Sequence, residues 1–201
     1  MGFSDWLKGL FVSNPVVEFT WIPSGIEGTK LVIDNMRRFA LDGLRDERIH
    51  QLARQIIKGV PDRDQRGQAA ALLAHIQAGG KGGFRYVGLP WHPEGFQRLC
   101  HPSYALFTSP TLTGECASLT TALVSLAMAI GIESRFRTAG QDAAKKEDYE
   151  HVYALFNLDG SWVAADPSYK YPLGWPHRAG DTVGGVGPNS SPAVTWADWN
   201  L

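Results

Sequence analysis

Apolar residues recur at helical spacing in the first two thirds of the chain and alternate with polar ones after that. Phe3, Trp6, Leu7, Leu10 and Phe11 share one side of a short helix over residues 1 to about 12, which reads as a surface that docks on the body or on a partner subunit. Its basic face is too thin for a membrane anchor. "VVEFTWIP" and "KLVIDNMRRFAL" read as strand-like pieces, the type of the second left open. "LRDERIHQLARQIIKGV" places Ile49, Leu52, Ala53, Ile56 and Ile57 on one helical face, and "DRDQRGQAAALLAHIQAGG" does the same with Ala69, Leu72, Leu73 and Ile76. The Gly59-Val60-Pro61 break separates these two helices. "FRYVGLPW" reads as extended and Pro90 to Pro110 as a Pro-rich loop. "GECASLTTALVSLAMAIGI" follows, with Cys116, Leu119, Leu123, Leu126 and Ile130 in one continuous stripe that predicts a buried helix. Thr113 is its expected N-cap, which makes Cys116 the third helical residue, and Gly131 ends it. "IESRFRTAG", "YEHVYALFNL" and "SWVAADPS" read as strands. The stretch from Tyr169 to Leu201 reads as an ordered loop wrapped on the domain.

Helices first and strands afterwards make an α+β pattern. The last two strands are joined by "LDGS". A two-residue turn at Asp159-Gly160 sets Leu158 opposite Ser161 and, counting outward, Tyr153 opposite Asp166. His151 and Tyr153 share a face. Asp166 then lies on the diagonal of His151, roughly 7–8 Å away at the backbone and within reach of its ring. A change of one residue in the turn would break this relation. A helix N-terminus and a neighbouring imidazolium both favour thiolate over thiol. Cys116 at a helix start, His151 on a strand and Asp166 on the next strand therefore form a nucleophile–base–orienter arrangement suited to covalent acyl transfer. The Cys116 N–H would point at the developing oxyanion. Each residue also has a plain structural reading: Cys116 as core, His151 as strand packing, and Asp166 as the turn former before Pro167.

Composition narrows the function classes. The 201 residues are 44% hydrophobic and 19% charged with a formal net charge of −1, so neither nucleic acid nor anionic lipid is an expected partner. No apolar run reaches membrane-spanning length. Cys100 and Cys116 are too few for a disulfide framework, and the start "MGFSDWLKGLFVSNP" lacks a signal-peptide pattern, so a reducing, cytoplasmic setting is expected. Trp6 stands where an N-myristoylation signal needs Ser or Thr. His50, His75, His92, His101 and His177 make no metal spacing with either cysteine, and neither a metal nor a cofactor is expected. "GGKGG" lacks the spacing of a phosphate loop and reads as a flexible connection. His177, in a Pro/Gly-rich loop, is a rival base without an obvious orienting acid. Cys100 is a rival nucleophile that reads as loop packing.

"GECASLTTALVSLAMAIGIESRFR", "EHVYALFNLDGSWVAADPS" and, more loosely, "ALLAHIQAGGKGGFRYVG" resemble the transglutaminase-like superfamily, over roughly residues 45 to 170. The resemblance implies a papain/transglutaminase-like fold. In it a nucleophile helix packs on an antiparallel sheet, with an extra N-terminal segment. Residues 1–42 would be the accessory segment, 43–170 the catalytic domain, and 171–201 a tail packed on it. It also implies Cys116 as nucleophile, His151 as base and Asp166 as orienting acid. Glu115 replaces the family's common Asp before the cysteine, and Gly88-Leu89-Pro90 replaces an Asp-Pro in the segment ahead of the site. Papain-like sites place a glutamine upstream of the cysteine, which makes Gln97 a candidate oxyanion donor. Trp162 and Tyr153 are candidate shields of the site, or hairpin packing.

The implied chemistry is acyl transfer at an amide of a protein or peptide. The thioester then goes to water or to an amine, and both routes share one first half-reaction. A peptidase is the favoured outcome. The short layout is similar to stand-alone bacteriophage and prophage members, which would place the protein in host cytoplasm or a virion. The alternative is a structural or assembly component of a phage particle, with an idle triad and a phage structural partner. Trp196 and Trp199 would then be interface anchors, or would simply close the domain's own core.

Overall fold

The computed structural model describes residues 17–78, 85–86, 96–108, 113–140, 149–176, 178–179, 191–192 and 195–201. The helix expected over residues 1–12 lies outside them. In chain order the elements are β1 (Val17–Trp21), α1 (Ile26–Gly43), α2 (Glu47–Ile56), α3 (Gln65–Ala78), β2 (Arg85–Tyr86), β3 (Phe96–Cys100), α4 (Pro102–Phe107), β4 (Thr113–Gly114), α5 (Cys116–Ala129), β5 (Ser134–Gly140), β6 (His151–Leu158), β7 (Ser161–Ala165), β8 (Arg178–Ala179), β9 (Ser191–Pro192) and β10 (Thr195–Asn200).

The centre is α5. Every residue from Ala117 to Ala127 is buried, as befits a helix that is apolar all round. Its few hydroxyls are bonded inside the protein, which removes the cost of burying them. Thr121 Oγ1 donates to the Ala117 carbonyl at 2.7 Å and Ser125 Oγ to the Thr121 carbonyl at 2.9 Å. Thr120 Oγ1 donates to the Val152 carbonyl at 3.1 Å and so ties the helix to the start of β6. One core cluster joins α5 (Leu119, Leu123, Leu126) to Phe39 of α1, Ile49 of α2, Leu72 of α3, and Phe136 and Phe156 of the sheet.

The main sheet has the order β10-β5-β6-β7, antiparallel throughout. Leu158 pairs with Ser161, so the β6–β7 turn has two residues and the register follows the sequence count. Asp159 and Gly160 take φ of 53° and 80°, the left-handed pair that a tight hairpin with right-handed strand twist requires. β1 pairs with β3 and β2 with β4 in small separate ladders.

Several expectations are corrected. Residues 30–41, strand-like but open in type from the sequence, belong to helix α1: Ile33, Met36, Phe39, Ala40 and Gly43 are buried at spacings of three, four and seven, as is Gly28 in its first turn. The Pro-rich loop contains β3 and α4, with Pro102 at the helix start where its missing N–H costs nothing. The tail ends in β10, which pairs with β5 from Thr195↔Gly140 to Asn200↔Arg135. Thr113 lies in β4, and the N-cap of α5 is Glu115. Cys116 is therefore the first helical residue, not the third.

Candidate active site

Three elements converge at one end of the sheet. Cys116 opens α5, His151 opens β6, and Asp166 follows the last residue of β7. His151 Nε2 and Asp166 Oδ2 are 2.8 Å apart, and the two residues are 8% and 1% exposed. The other carboxylate oxygen, Oδ1, accepts the Ser168 N–H at 2.9 Å. Cys116 hydrogen-bonds to the imidazole from the helix side. With Nε2 engaged by Asp166, Nδ1 is the ring nitrogen left to meet the thiol. Burial alone would pull the ring pKa down. The Asp166 carboxylate, the hydrogen bond to it and the Cys116 sulfur reverse this and raise it to about 10. The ring holds its proton at neutral pH.

The helix start adds donors. Glu115 is extended, with φ −84° and ψ 173°, and its side chain makes no capping hydrogen bond. The first intrahelical bond runs from the Leu119 N–H to the Glu115 carbonyl. The N–H groups of Cys116 and Ala117 thus have no partner inside the helix. Helix-start N–H groups of this kind are donors that a carbonyl oxygen gaining charge can use.

A cavity of about 310 Å³ opens on Cys116 and His151. Thr138, Tyr149 and Val152 line it from the sheet side, and Ile22, Thr29 and Val32 from the α1 side. Gly28 lets the chain entering α1 lie on the first helical turn. A Cβ there would sit 1.9 Å from the Pro23 carbonyl oxygen. This wall precedes the part of the chain that carries the sequence resemblance.

Tyr153 stacks on His151 at a ring-centroid distance of 6.0 Å. Trp162 is not brought to the site. It sits next to the hairpin turn, opposite Asn157, with the Arg135 guanidinium 3.9 Å over its ring, at the far end of β6 from His151. Gln97 lies in β3 with its backbone paired to Thr20, and its side chain lies outside the described residues. Cys100 is not in a loop but ends β3, fully buried, and burial pushes its thiol pKa up despite Arg98 nearby. His92 and His177 lie outside the described residues. Among the described residues, no group of three or more His, Cys, Asp or Glu is placed to hold a metal ion, and no helix is long and apolar enough to cross a membrane.

Two neighbours of the site have no signal in the sequence. The Tyr169 ring meets His151 edge-on, at 5.3 Å and 68°. Gln77, at the end of α3, donates from Nε2 to the carbonyls of Asp166, Tyr169 and Tyr171. Neither carries a motif; only its place in the fold reveals it.

Among solved structures, the chain is similar to a candidate cysteine protease from Cytophaga hutchinsonii, with 14% identity and a TM-score of 0.43 over 60% of this chain and 37% of that one. It is also similar to a candidate protease from Parabacteroides distasonis, with 13% identity and a TM-score of 0.48 over 75% of this chain and 27% of that one. The chain thus spans well under half the length of either protein. No curated protein matches it. The model of the transglutaminase-like superfamily matches residues 50–167, more than half of the chain and a span that holds Cys116, His151 and Asp166, and the chain belongs to that superfamily.

Proposed function

We propose that the protein is a thiol-dependent acyl-transfer enzyme acting at an amide, and that hydrolysis of a peptide or related amide is its reaction. The observation that carries the reading is the Cys116–His151–Asp166 line at the start of a buried helix, with a cavity open on the sulfur. The sulfur reacts as a thiolate, the form that a neighbouring protonated ring and a helix start favour. The Cys116 sulfur attacks the substrate carbonyl carbon, and the carbonyl oxygen gathers charge against the N–H groups of Cys116 and Ala117. As the C–N bond breaks, His151 gives its proton to the departing amine. Water then attacks the thioester and returns a proton to His151, and the C–S bond breaks to restore the thiolate. Asp166 holds the ring in the orientation that serves both steps. An amine in place of the water would give transamidation by the same groups. All protons and electron pairs are accounted for by substrate, water and these side chains, so no cofactor is required.

The test is the pH dependence of iodoacetamide alkylation, resolved by site with mass spectrometry, in the native protein and in His151→Ala. Fast labelling of Cys116 below pH 7, lost in the variant, with Cys100 slow in both, is the expected result. Slow labelling of Cys116 with an ordinary thiol profile in both proteins would overturn the reading. It would favour the alternative, a phage structural or assembly protein with an idle triad.

A further inference from the structure

The Asp166 main chain lies beyond the last paired residue of β7, since the β6–β7 register ends at Ala154↔Ala165. What holds it there comes from another part of the chain. Gln77, in the last turn of α3 and anchored by the fully buried Ile76 before it, reaches across with its side-chain amide. Nε2 lies 3.1 Å from the Asp166 carbonyl oxygen, 2.6 Å from that of Tyr169 and 2.8 Å from that of Tyr171. Three converging acceptors require the nitrogen, not the oxygen, at this position. The amide has two N–H bonds for three carbonyls, so one bond is shared.

The segment fastened in this way supplies His151 with two of its neighbours. Asp166 accepts from Nε2, and the Tyr169 ring closes against the imidazole. Tyr171 stacks on Tyr169 at 5.3 Å, so the third carbonyl belongs to the same packed unit. Removing the amide takes one donor from each of the three carbonyls, and a buried acceptor that loses a bond turns toward another. Asp166 would move with them.

We infer that Gln77 is a positioning residue for the acid–imidazole pair, acting through the backbone of residues 166–171 rather than on substrate. For its effect on catalysis this rests on the acyl-transfer reading above; its effect on the pair does not. α3 holds a natural control. Gln68 also donates from Nε2 to two carbonyls, those of Pro61 and Asp62 at 3.3 and 3.2 Å, but it fastens the α2–α3 connection away from the site.

The experiment compares wild type, Gln77→Leu and Gln68→Leu, with Gln77→Met as a second unbranched form should the leucine variant not fold. Three quantities are read: the urea midpoint, the titration of the His151 ring by NMR, and the Cys116 alkylation profile. Both glutamine variants should lose some stability. Only the Gln77 variants should show the ring titrating lower by about one unit or more, as a carboxylate moves away from it. Only they should slow Cys116 labelling near neutral pH, by on the order of tenfold to a hundredfold for a shift of about an ångström. A folded Gln77 variant with a lower urea midpoint but wild-type ring titration overturns the proposal and leaves Gln77 a structural clamp. If wild-type Cys116 labels slowly, the acyl-transfer reading fails while the ring titration still decides the role of Gln77.

Discussion

The two cysteines lie sixteen positions apart in the chain and in opposite surroundings. Cys100 ends β3 with no exposed surface, and its backbone N–H is donated to Ser118 Oγ at 3.0 Å. Burial raises its thiol pKa, with no imidazole among its influences. Cys116 is partly exposed, starts a helix and bonds to a buried imidazolium. The same side chain is thus an inert filler in one place and a candidate nucleophile in the other. What differs is supplied by other residues: a helix start, a strand that begins with histidine, and a carboxylate one hairpin away. Reactivity belongs to the neighbourhood, and changes to the neighbourhood should move it.

Exchanging the roles of the two sulfurs gives the largest effect. Cys116→Ala should abolish turnover of a peptide or p-nitrophenyl ester, by on the order of 10⁶-fold if the triad works as a unit. Cys100→Ala should leave turnover within about threefold and lower stability by about 1 kcal/mol, as for a small buried apolar group. If Cys100→Ala kills turnover and Cys116→Ala spares it, the assignment is reversed.

Asp166→Asn acts one step further from the sulfur. It keeps the shape of the pair but removes the charge that offsets burial of the His151 ring. Turnover should fall by on the order of 10²- to 10⁴-fold. A stability signature accompanies this. The ring's folded pKa, about 10, lies above its ordinary value of about 6.5. The folded state therefore binds the proton more tightly. The stabilisation is complete below pH 6.5 and is lost as pH rises through 10, with a slope of at most about 1.4 kcal/mol per pH unit. Urea midpoints of the native protein should decline toward the upper end of that window, above the free thiol's own pKa of about 8.5, because below it the unfolded thiol binds a proton as the folded ring does; those of Asp166→Asn should decline less. A flat native profile would show that the ring is not held as a cation.

The Cys116 half of this contrast is legible because it depends on short-range rules. "LDGS" fixes a two-residue turn, strand alternation does the rest, and His151 and Asp166 meet as counted. The parts that failed depend on the whole fold. Leu31, Val32 and Ile33 in a row look like a strand, and only the later Met36, Phe39 and Gly43 reveal the period of α1. "VTWADWNL" was ambiguous between an interface and closure. β10 pairs with β5, Trp199 Nε1 donates to Thr138 Oγ1 at 3.0 Å, and Trp196 stays 60% exposed. β3 is too short and too close to prolines to stand out, which is why Cys100 read as loop. The N-cap slipped by two residues because Thr113 is a better capping side chain than Glu115, yet its backbone is committed to β4. Gln77 had no signal at all: its three acceptors lie 89 to 94 positions away.

The smallest effect is the most discriminating, because one residue touches both surroundings. Ser118 lies two positions after Cys116 on α5, and its hydroxyl holds the Cys100 N–H. Ser118→Ala leaves that buried N–H without its partner, at a cost of about 1–3 kcal/mol. Cys100 has no exposed surface, so it labels only when the structure opens, and each 1.4 kcal/mol lost should speed its alkylation about tenfold. Cys116 already meets solvent, and under the proposed function its reactivity comes from His151, so its rate should stay within about twofold of wild type. The expected outcome is one cysteine that changes and one that does not. If Cys116 slows as Cys100 accelerates, the start of α5 depends on β3 for its geometry, and the two regions are a single mechanical unit rather than neighbours.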